Sequence, residues 1–295
     1  MLLIDTTRSS FSWANARACL ERSELAYSKS GQALPSCAHL ITNEATEAQA
    51  IVFDERNCIS VAFRGSQSPE DFIHDAECWM DRLAPGRSTG KRGHALVDVN
   101  PVQWLPIRRR LGFPSARVHH GFLFDWDSIS TDVLASVARL LLPFTRKKIF
   151  VEGHSLGGAL AVLGANEFCR QGWNVGGVYT FGQPRVGDAA FVSDYESAMA
   201  GFPHQLGDLT YRVVNENDIV PRVPLPLAGY RHGGQLIFLC APGSFRGRHG
   251  VLTNPHWWQT ADSDFVGFVH AVARNTDVLV GDHYLKSYQE RIKTL

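Results

Sequence analysis

Short apolar runs alternate with longer amphipathic stretches over most of the chain. The apolar runs predict strands at residues 48–54, 58–63, 149–152, 175–181, 209–214 and 235–240. The amphipathic stretches predict helices at residues 11–30, 123–142, 158–171, 188–199, 265–274 and 282–293. The first two strands form a hairpin around the turn at residues 54–57. Strands that alternate with helices form mostly parallel sheets covered on both faces, so the predicted fold class is α/β.

Length and composition indicate a globular protein with a single domain over residues 1–295. A single hydrophobic core stops growing at roughly 250 to 300 residues, and this chain has 295. Hydrophobic residues make up 44% of the chain, which is ample for a core of that size. The formal net charge is zero, so we expect no nucleic-acid partner. The sequence does not fix the oligomeric state.

The N-terminus has no secretory signal pattern, because Asp5 ends the apolar run at residues 1–4. No stretch approaches roughly 18 uninterrupted apolar residues, so we expect no transmembrane segment. We expect a cytoplasmic location or export by a route without this signal, although a mature form would have the same pattern. The six cysteines are widely spaced without a Cys-X-X-Cys pair, which argues against a zinc or redox site and favours mostly reduced, buried thiols.

Residues 67–117 lack sustained periodicity apart from a short helical pattern at residues 69–80. Such a long irregular segment is more often functional than idle, and we interpret it as a lid or insertion. Eight basic residues and one acidic residue lie between residues 82 and 117, where Trp104 and Ile107 precede three arginines. Two interpretations stay open, a solvated surface loop or a patch that contacts an anionic lipid interface.

The sequence VEGHSLGGAL at residues 151–160 places Ser155 between a predicted strand and a predicted helix. Gly-X-Ser-X-Gly at such a junction is typical of the nucleophile elbow, in which a strained backbone pushes the serine hydroxyl beyond the sheet. The alternative is a glycine-rich turn in which Ser155 only caps the helix.

A serine nucleophile needs a base, an acid that orients the base, and donors for the oxyanion. In the fold that carries a nucleophile elbow, the acid and the histidine follow the serine in that order. Asp218 follows the predicted strand at residues 209–214, at the sheet edge where catalytic groups collect, and is the predicted acid. Asp188 is the competing acid, although it is also placed to cap a helix.

The predicted base is His283, because it comes last in the chain and Gly281 allows the loop to turn back. The other downstream histidines are His256 as the second choice, His270 in a helical pattern, and His232 and His249 in turns where solvated histidines are ordinary.

Two backbone positions are predicted to bind the oxyanion. The N–H of Leu156 directly follows the nucleophile. Ser66 closes the sequence FRGS at the end of an earlier strand, and its hydroxyl adds to its backbone N–H. The alternative is that Ser66 only starts the helix at residues 69–80.

The chain contains, in order, FRGS, VHHGF, GHSLGGA, TFGQPRVGD, NENDIVPRVP and a late GDHY. Together these motifs resemble the fungal-type class 3 lipase family over most of the chain after residue 48. The resemblance implies an α/β-hydrolase fold, the triad Ser155, Asp218 and His283, an oxyanion hole from Ser66 and Leu156, no metal or other cofactor, and a mobile lid within residues 67–81. The chain departs from the family pattern in a longer connection at residues 66–118 and in Glu152, where a small or neutral residue is commoner.

The resemblance also implies hydrolysis of carboxylic esters through an acyl-enzyme, with triacylglycerol as the expected substrate. Phospholipase A1, feruloyl-type esterase and acyltransferase activities would use the same triad. A catalytically silent lipid-binding relative is the alternative from another class, and the intact set of catalytic residue types argues against it. The expected partners are a lipid or other ester substrate and a lipid interface in transient contact with the lid.

Overall fold

The structure is a computed structural model that describes most of the chain. The described residues are 1–29, 31–66, 105–106, 116–141, 147–201, 203–216, 218–240, 251–253, 281–293 and 295. Within them the helices are α1 (Trp13–Leu25), α2 (His120–Leu140), α3 (Leu156–Arg170), α4 (Ala189–Ser197) and α5 (Leu285–Lys293). The strands are β1 (Ala38–Thr42), β2 (Gln49–Asp54), β3 (Cys58–Phe63), β4 (Leu105–Pro106), β5 (Arg117–Val118), β6 (Lys148–His154), β7 (Val175–Phe181), β8 (Gly187–Asp188), β9 (Met199–Gly201), β10 (His204–Gln205), β11 (Thr210–Asn215), β12 (Tyr230–Arg231), β13 (Gln235–Leu239) and β14 (Val251–Thr253).

The main sheet has eight strands in the order β1-β2-β3-β6-β7-β11-β13-β14. Its central strands, from β3 to β13, run parallel to one another. The edge strands β1, β2 and β14 pair antiparallel. Short strands form a second sheet in the order β12-β8-β5-β4 and a separate β9–β10 pair. The parallel centre brings the carboxyl ends of β3, β6, β7 and β11 to one edge of the sheet.

Helices cover both faces of the main sheet. α1 and α5 pack on one face through a cluster that includes Leu20 and Tyr288, and α2 and α3 pack on the other through a cluster that includes Trp126 and Leu163. The side chains of β3 and β7 are buried along their whole length, as expected for strands covered on both faces. The predicted α/β architecture is therefore confirmed.

Most element bounds lie close to the prediction, and β7 matches it fully. α1 begins at Trp13 rather than at residue 11 because Ser12 caps its N-terminus by accepting a hydrogen bond from the Asn15 N–H, and it ends at Leu25 rather than at residue 30. α2 begins at His120, one turn earlier than predicted, and α5 begins later than residue 282. The predicted helices at residues 69–80 and 265–274 lie outside the described residues.

β1 has no counterpart in the prediction. Most of its side chains are at least partly exposed because it is the edge strand of the sheet, so it lacks the apolar run that marks the buried strands. The five cysteines within the described residues are free thiols, and three of them are buried, namely Cys19, Cys58 and Cys240. The burial of these three agrees with the expectation of buried thiols.

Glu152 on β6 is fully buried on the face that α1 covers. Its carboxylate accepts a hydrogen bond from the Ser60 hydroxyl of β3. Burial raises the pKa of Glu152 to about 8, although the charge of Arg22 opposes this rise. Arg22 itself is paired with Glu55 at 2.5 Å. Glu152 is therefore mostly protonated at neutral pH, and this departure from the family pattern adds little charge to the sheet.

We expect Glu152 to lower the free energy of unfolding as the pH rises. Its pKa in the folded chain lies above the usual value of 4.5, so the folded state binds more protons and the free energy of unfolding falls between about pH 5 and about pH 8. The slope from this group approaches about 1.4 kcal/mol per pH unit. Glu152→Gln should flatten the dependence, as measured by urea unfolding at several pH values across that window.

The half-buried Glu167 on α3 offers a control, because Glu167→Gln removes a carboxylate outside the core. We expect this variant to keep the wild-type slope. Parallel curves for the wild type and Glu152→Gln would show that another group causes the pH dependence.

Candidate active site

Ser155 lies in the tight turn between β6 and α3. Its backbone has φ 58° and ψ −129°, a conformation that a residue with a Cβ rarely adopts. The Ser155 N–H donates to the Phe181 carbonyl at the end of β7, with an N–O distance of 2.9 Å. Its side chain makes no capping hydrogen bond to α3. The alternative interpretation, a serine that only caps the helix, is therefore wrong, and the turn has the strained geometry of a nucleophile elbow.

Close backbone packing explains the glycines around Ser155. A Cβ on Gly157 would lie 2.2 Å from the Phe63 carbonyl oxygen, and a Cβ on Gly153 would lie 2.2 Å from the Gly157 carbonyl oxygen. A Cβ on Gly65 would lie 3.1 Å from the Cβ of Ser155. The end of β3 and the FRGS sequence are thus pressed against the elbow, which places Ser66 one residue from a direct neighbour of Ser155.

His283 and Asp218 form a fully buried pair. The Nδ1 atom of His283 lies 3.0 Å from Oδ1 and 2.9 Å from Oδ2 of Asp218. A carboxylate only accepts hydrogen bonds, so Nδ1 carries the proton and the lone pair of the neutral ring lies on Nε2. This is the tautomer that can accept a proton from a serine hydroxyl.

Two further groups hold the Asp218 carboxylate. The Val220 N–H donates to Oδ1 at 2.9 Å. The Tyr288 hydroxyl of α5 donates to Oδ2 at 2.6 Å and accepts from the Asn215 N–H at 3.1 Å. Burial raises the pKa of Tyr288 well above its usual value, and the charge of Asp218 adds to this rise, so the phenol stays protonated and donates.

Tyr288 is a site residue that the sequence reasoning missed. The available signal was its place in the helix predicted at residues 282–293, where the sequence HYLKSY contains two tyrosines. Only the three-dimensional packing of α5 against the loop after β11 distinguishes them: Tyr284 is exposed and Tyr288 is fully buried.

The structure brings Ser155, Asp218 and His283 to the same edge of the sheet. The His283 ring stacks on the ring of His154, the neighbour of Ser155, with centroids 4.7 Å apart. A Cβ on Gly182, after β7, would lie 2.7 Å from Asp218 Oδ2 and 3.0 Å from His283 Nδ1. The Ser155 hydroxyl and His283 Nε2 are both buried, and neither has a hydrogen-bond partner among the described residues. The two atoms are therefore not hydrogen-bonded to each other in this structure, and proton transfer between them would require a closer approach.

The competing candidates contact other groups. Asp188 caps α4 by accepting from the Phe191 N–H at 2.9 Å, and it lies 3.6 Å from Arg117 in an ion pair. His232 is not the solvated turn histidine that we expected: its Nε2 donates to the Pro221 carbonyl at 2.7 Å, and its Nδ1 is buried.

The remaining candidates lie outside the described residues. They are His249, His256 and His270, together with most of the lid or insertion at residues 67–117. Within that segment β4 pairs with β5, which shows two short strands where no periodicity predicted them.

The described part of the chain offers neither a metal site nor a membrane-spanning helix. It holds no group of three side chains suited to a metal ion. None of its helices is long and apolar enough to cross a membrane.

A family model described as Lipase (class 3) matches residues 60–228. The chain belongs to the class 3 lipase family. The match begins in β3 and includes Ser66, Ser155, Leu156 and Asp218, whereas His283 lies beyond it. The family match therefore includes the elbow and the loop that carries Asp218. The position of His283 relative to them is known from the geometry alone.

Relatives of this family member include proteins named as lipases. A lipase of Rhizomucor miehei is 30% identical over 194 residues, covering 64% of this chain and 44% of the relative. A secreted mono- and diacylglycerol lipase of Fusarium solani is 37% identical over 115 residues, covering 39% of this chain and 32% of the relative. The chain thus matches less than half the length of these two relatives.

A solved triacylglycerol lipase, whose catalytic centre is formed by a serine protease triad, is similar in structure. It matches with a TM-score of 0.51 and 27% identity, covering 69% of this chain and 67% of that one. The likeness confirms the α/β-hydrolase fold.

Proposed function

We propose that this class 3 lipase family member hydrolyses carboxylic esters through an acyl-enzyme. The observation that carries the proposal is the buried Asp218–His283 pair, which leaves the lone pair of His283 on Nε2 and whose ring stacks on His154, next to the strained Ser155. Such a set of nucleophile, base and orienting acid is what a serine hydrolase requires. The triad in the similar triacylglycerol lipase supports the same assignment.

In the first step, His283 Nε2 takes the proton of the Ser155 hydroxyl as the serine oxygen attacks the ester carbonyl. Asp218 accepts from His283 Nδ1, holds the ring in this tautomer and stabilises the imidazolium that forms. His283 then returns the proton to the leaving alcohol. Water attacks the acyl-enzyme by the same route and releases the acid, so the enzyme returns to its starting state.

The oxyanion is proposed to bind between the backbone N–H of Leu156 and Ser66. Leu156 is the first residue of α3, so its N–H belongs to the free donors at a helix N-terminus. Gly65 packs against the Cβ of Ser155, so the FRGS turn lies next to the elbow, which supports this proposal.

The proposed substrate is an acylglycerol, with triacylglycerol as the first choice. Two similar proteins, a triacylglycerol lipase and a secreted mono- and diacylglycerol lipase, support this substrate class. Contact between the lid at residues 67–117 and a lipid interface is part of the same proposal.

A substrate panel tests the function. We expect hydrolysis of p-nitrophenyl butyrate and of tributyrin, and a rise in the tributyrin rate above its solubility limit if the lid contacts the interface. Phosphatidylcholine and methyl ferulate serve as comparison substrates, because faster cleavage of either would favour phospholipase or feruloyl esterase activity. Labelling by an alkyl p-nitrophenyl phosphonate should place the added mass on the peptide that contains Ser155. An unlabelled, inactive protein would contradict the proposal and favour a silent lipid-binding relative.

A further inference from the structure

A hydrogen-bonded relay joins the end of α1 to the backbone of the proposed base. The Tyr27 hydroxyl lies 2.8 Å from His154 Nδ1. His154 Nε2 lies 2.7 Å from the backbone carbonyl oxygen of His283. His154 is only 2% exposed and directly precedes Ser155. The mechanism above assigns no role to Tyr27 or to the side chain of His154.

The proton positions in this relay follow from the chemistry of its ends. A backbone carbonyl only accepts, so His154 Nε2 carries a proton and donates to His283. In a neutral ring, Nδ1 then holds a lone pair, and the Tyr27 hydroxyl donates to it. The Tyr27 oxygen also lies against the backbone of Gly65, where a Cβ would come within 2.2 Å of it. Each donor in the relay therefore meets one acceptor, and the direction of donation is fixed from Tyr27 to His283.

The His154 ring must stay neutral for this arrangement to help the base. Burial lowers the pKa of His154 to about 3, and the neighbouring His283 adds to this effect. A neutral ring stacked at 4.7 Å does not repel the charge that His283 gains when it takes the serine proton. A protonated ring at that place would oppose the same charge.

We propose that Tyr27 and His154 are positioning residues. They fix the backbone of the base His283 relative to the FRGS turn after β3 and to the nucleophile elbow. The relay ties three separate parts of the site together: Gly65 beside Ser66, His154 beside Ser155, and the loop that carries His283. The proposal rests on the proposed ester hydrolysis. It predicts that loss of the relay lowers the turnover rate while substrate affinity changes little, since the residues touch the base rather than the substrate.

The first test is Tyr27→Phe, which keeps the ring and removes only the hydroxyl. We expect kcat for p-nitrophenyl butyrate to fall by about 5-fold to 10-fold with KM changed less than about 2-fold, because one neutral hydrogen bond is lost. Tyr195→Phe is the matched control. Tyr195 on α4 is 1% exposed, and its hydroxyl lies 2.7 Å from the hydroxyl of Thr210 on β11, away from the relay. This control should lose stability like Tyr27→Phe while its kcat stays at the wild-type value.

The second test compares His154→Gln with His154→Leu. A glutamine amide nitrogen reaches about as far as Nε2 and can still donate to the His283 carbonyl, whereas leucine cannot. We expect His154→Gln to keep about 10-fold more kcat than His154→Leu. If His154→Leu does not fold, the decision rests on His154→Gln and Tyr27→Phe, with intact folding checked by circular dichroism.

Two results would overturn the proposal. One is a kcat for Tyr27→Phe equal to that of Tyr195→Phe, and the other is an equal loss in folded His154→Gln and His154→Leu. A wild-type protein that hydrolyses no ester would instead contradict the proposed function, so the two failures are distinguishable.

Discussion

Replacement of Ser155 by alanine is expected to lower ester turnover by about 10⁴-fold to 10⁶-fold. The substitution removes the only atom that can form the acyl-enzyme, so the remaining rate comes from substrate binding and the oxyanion donors. The free energy of unfolding should stay equal or rise slightly, because the buried Ser155 hydroxyl has no partner among the described residues and its removal breaks no described hydrogen bond. The measurements are p-nitrophenyl butyrate hydrolysis and urea unfolding of both proteins.

Ser155→Gly separates the chemistry from the backbone strain. Alanine keeps a Cβ at φ 58° and keeps the strain, whereas glycine adopts this conformation readily. We therefore expect Ser155→Gly to be as inactive as Ser155→Ala and more stable by about 1 kcal/mol. Turnover near the wild-type rate in either variant would show that another residue is the nucleophile.

The sequence predicts much of this site because three of its residues follow strands that the hydrophobic pattern already marks. Ser155 follows β6, Asp218 follows β11 and Ser66 follows β3, and parallel neighbours in the sheet bring these carboxyl ends to one edge. His283 is predicted by its late position in the chain and by Gly281, which allows the loop to turn back. The structure places His283 beside Asp218. Periodicity and a known order of catalytic groups were sufficient for these positions.

Other features depend on contacts that no local pattern encodes. Tyr27 meets His154 across 127 positions, and His154 meets the His283 backbone across 129. His232 was expected in solvent because its neighbours Arg231 and Gly233 are turn residues, yet the fold encloses its Nδ1. The burial of Glu152 on the face below α1 could be inferred from its strand, whereas the pKa rise depends on how fully that face is covered.

Asp218→Asn is expected to lower kcat by about 10⁴-fold while KM changes little. In the present arrangement both carboxylate oxygens lie within 3.0 Å of His283 Nδ1, and the Tyr288 hydroxyl donates to Oδ2. An asparagine has only one side-chain oxygen. We expect that oxygen to take the place of Oδ1, where the Val220 N–H donates to it. The amide NH₂ then faces Nδ1 and favours the tautomer with the proton on Nε2, which cannot accept the proton of Ser155.

Two further variants provide comparisons for Asp218→Asn. Asp188→Asn makes the same change at the competing acid, which caps α4 and contacts Arg117, so its kcat should stay within about 2-fold of wild type. Tyr288→Phe removes one hydrogen-bond donor to Asp218 but leaves the charged carboxylate next to His283. Its kcat should therefore fall by about 10-fold or less. Steady-state kinetics on p-nitrophenyl butyrate order the three variants. If kcat fell more in Asp188→Asn than in Asp218→Asn, Asp188 would be the catalytic acid instead. The charge that stabilises the imidazolium would then have to come from Asp188.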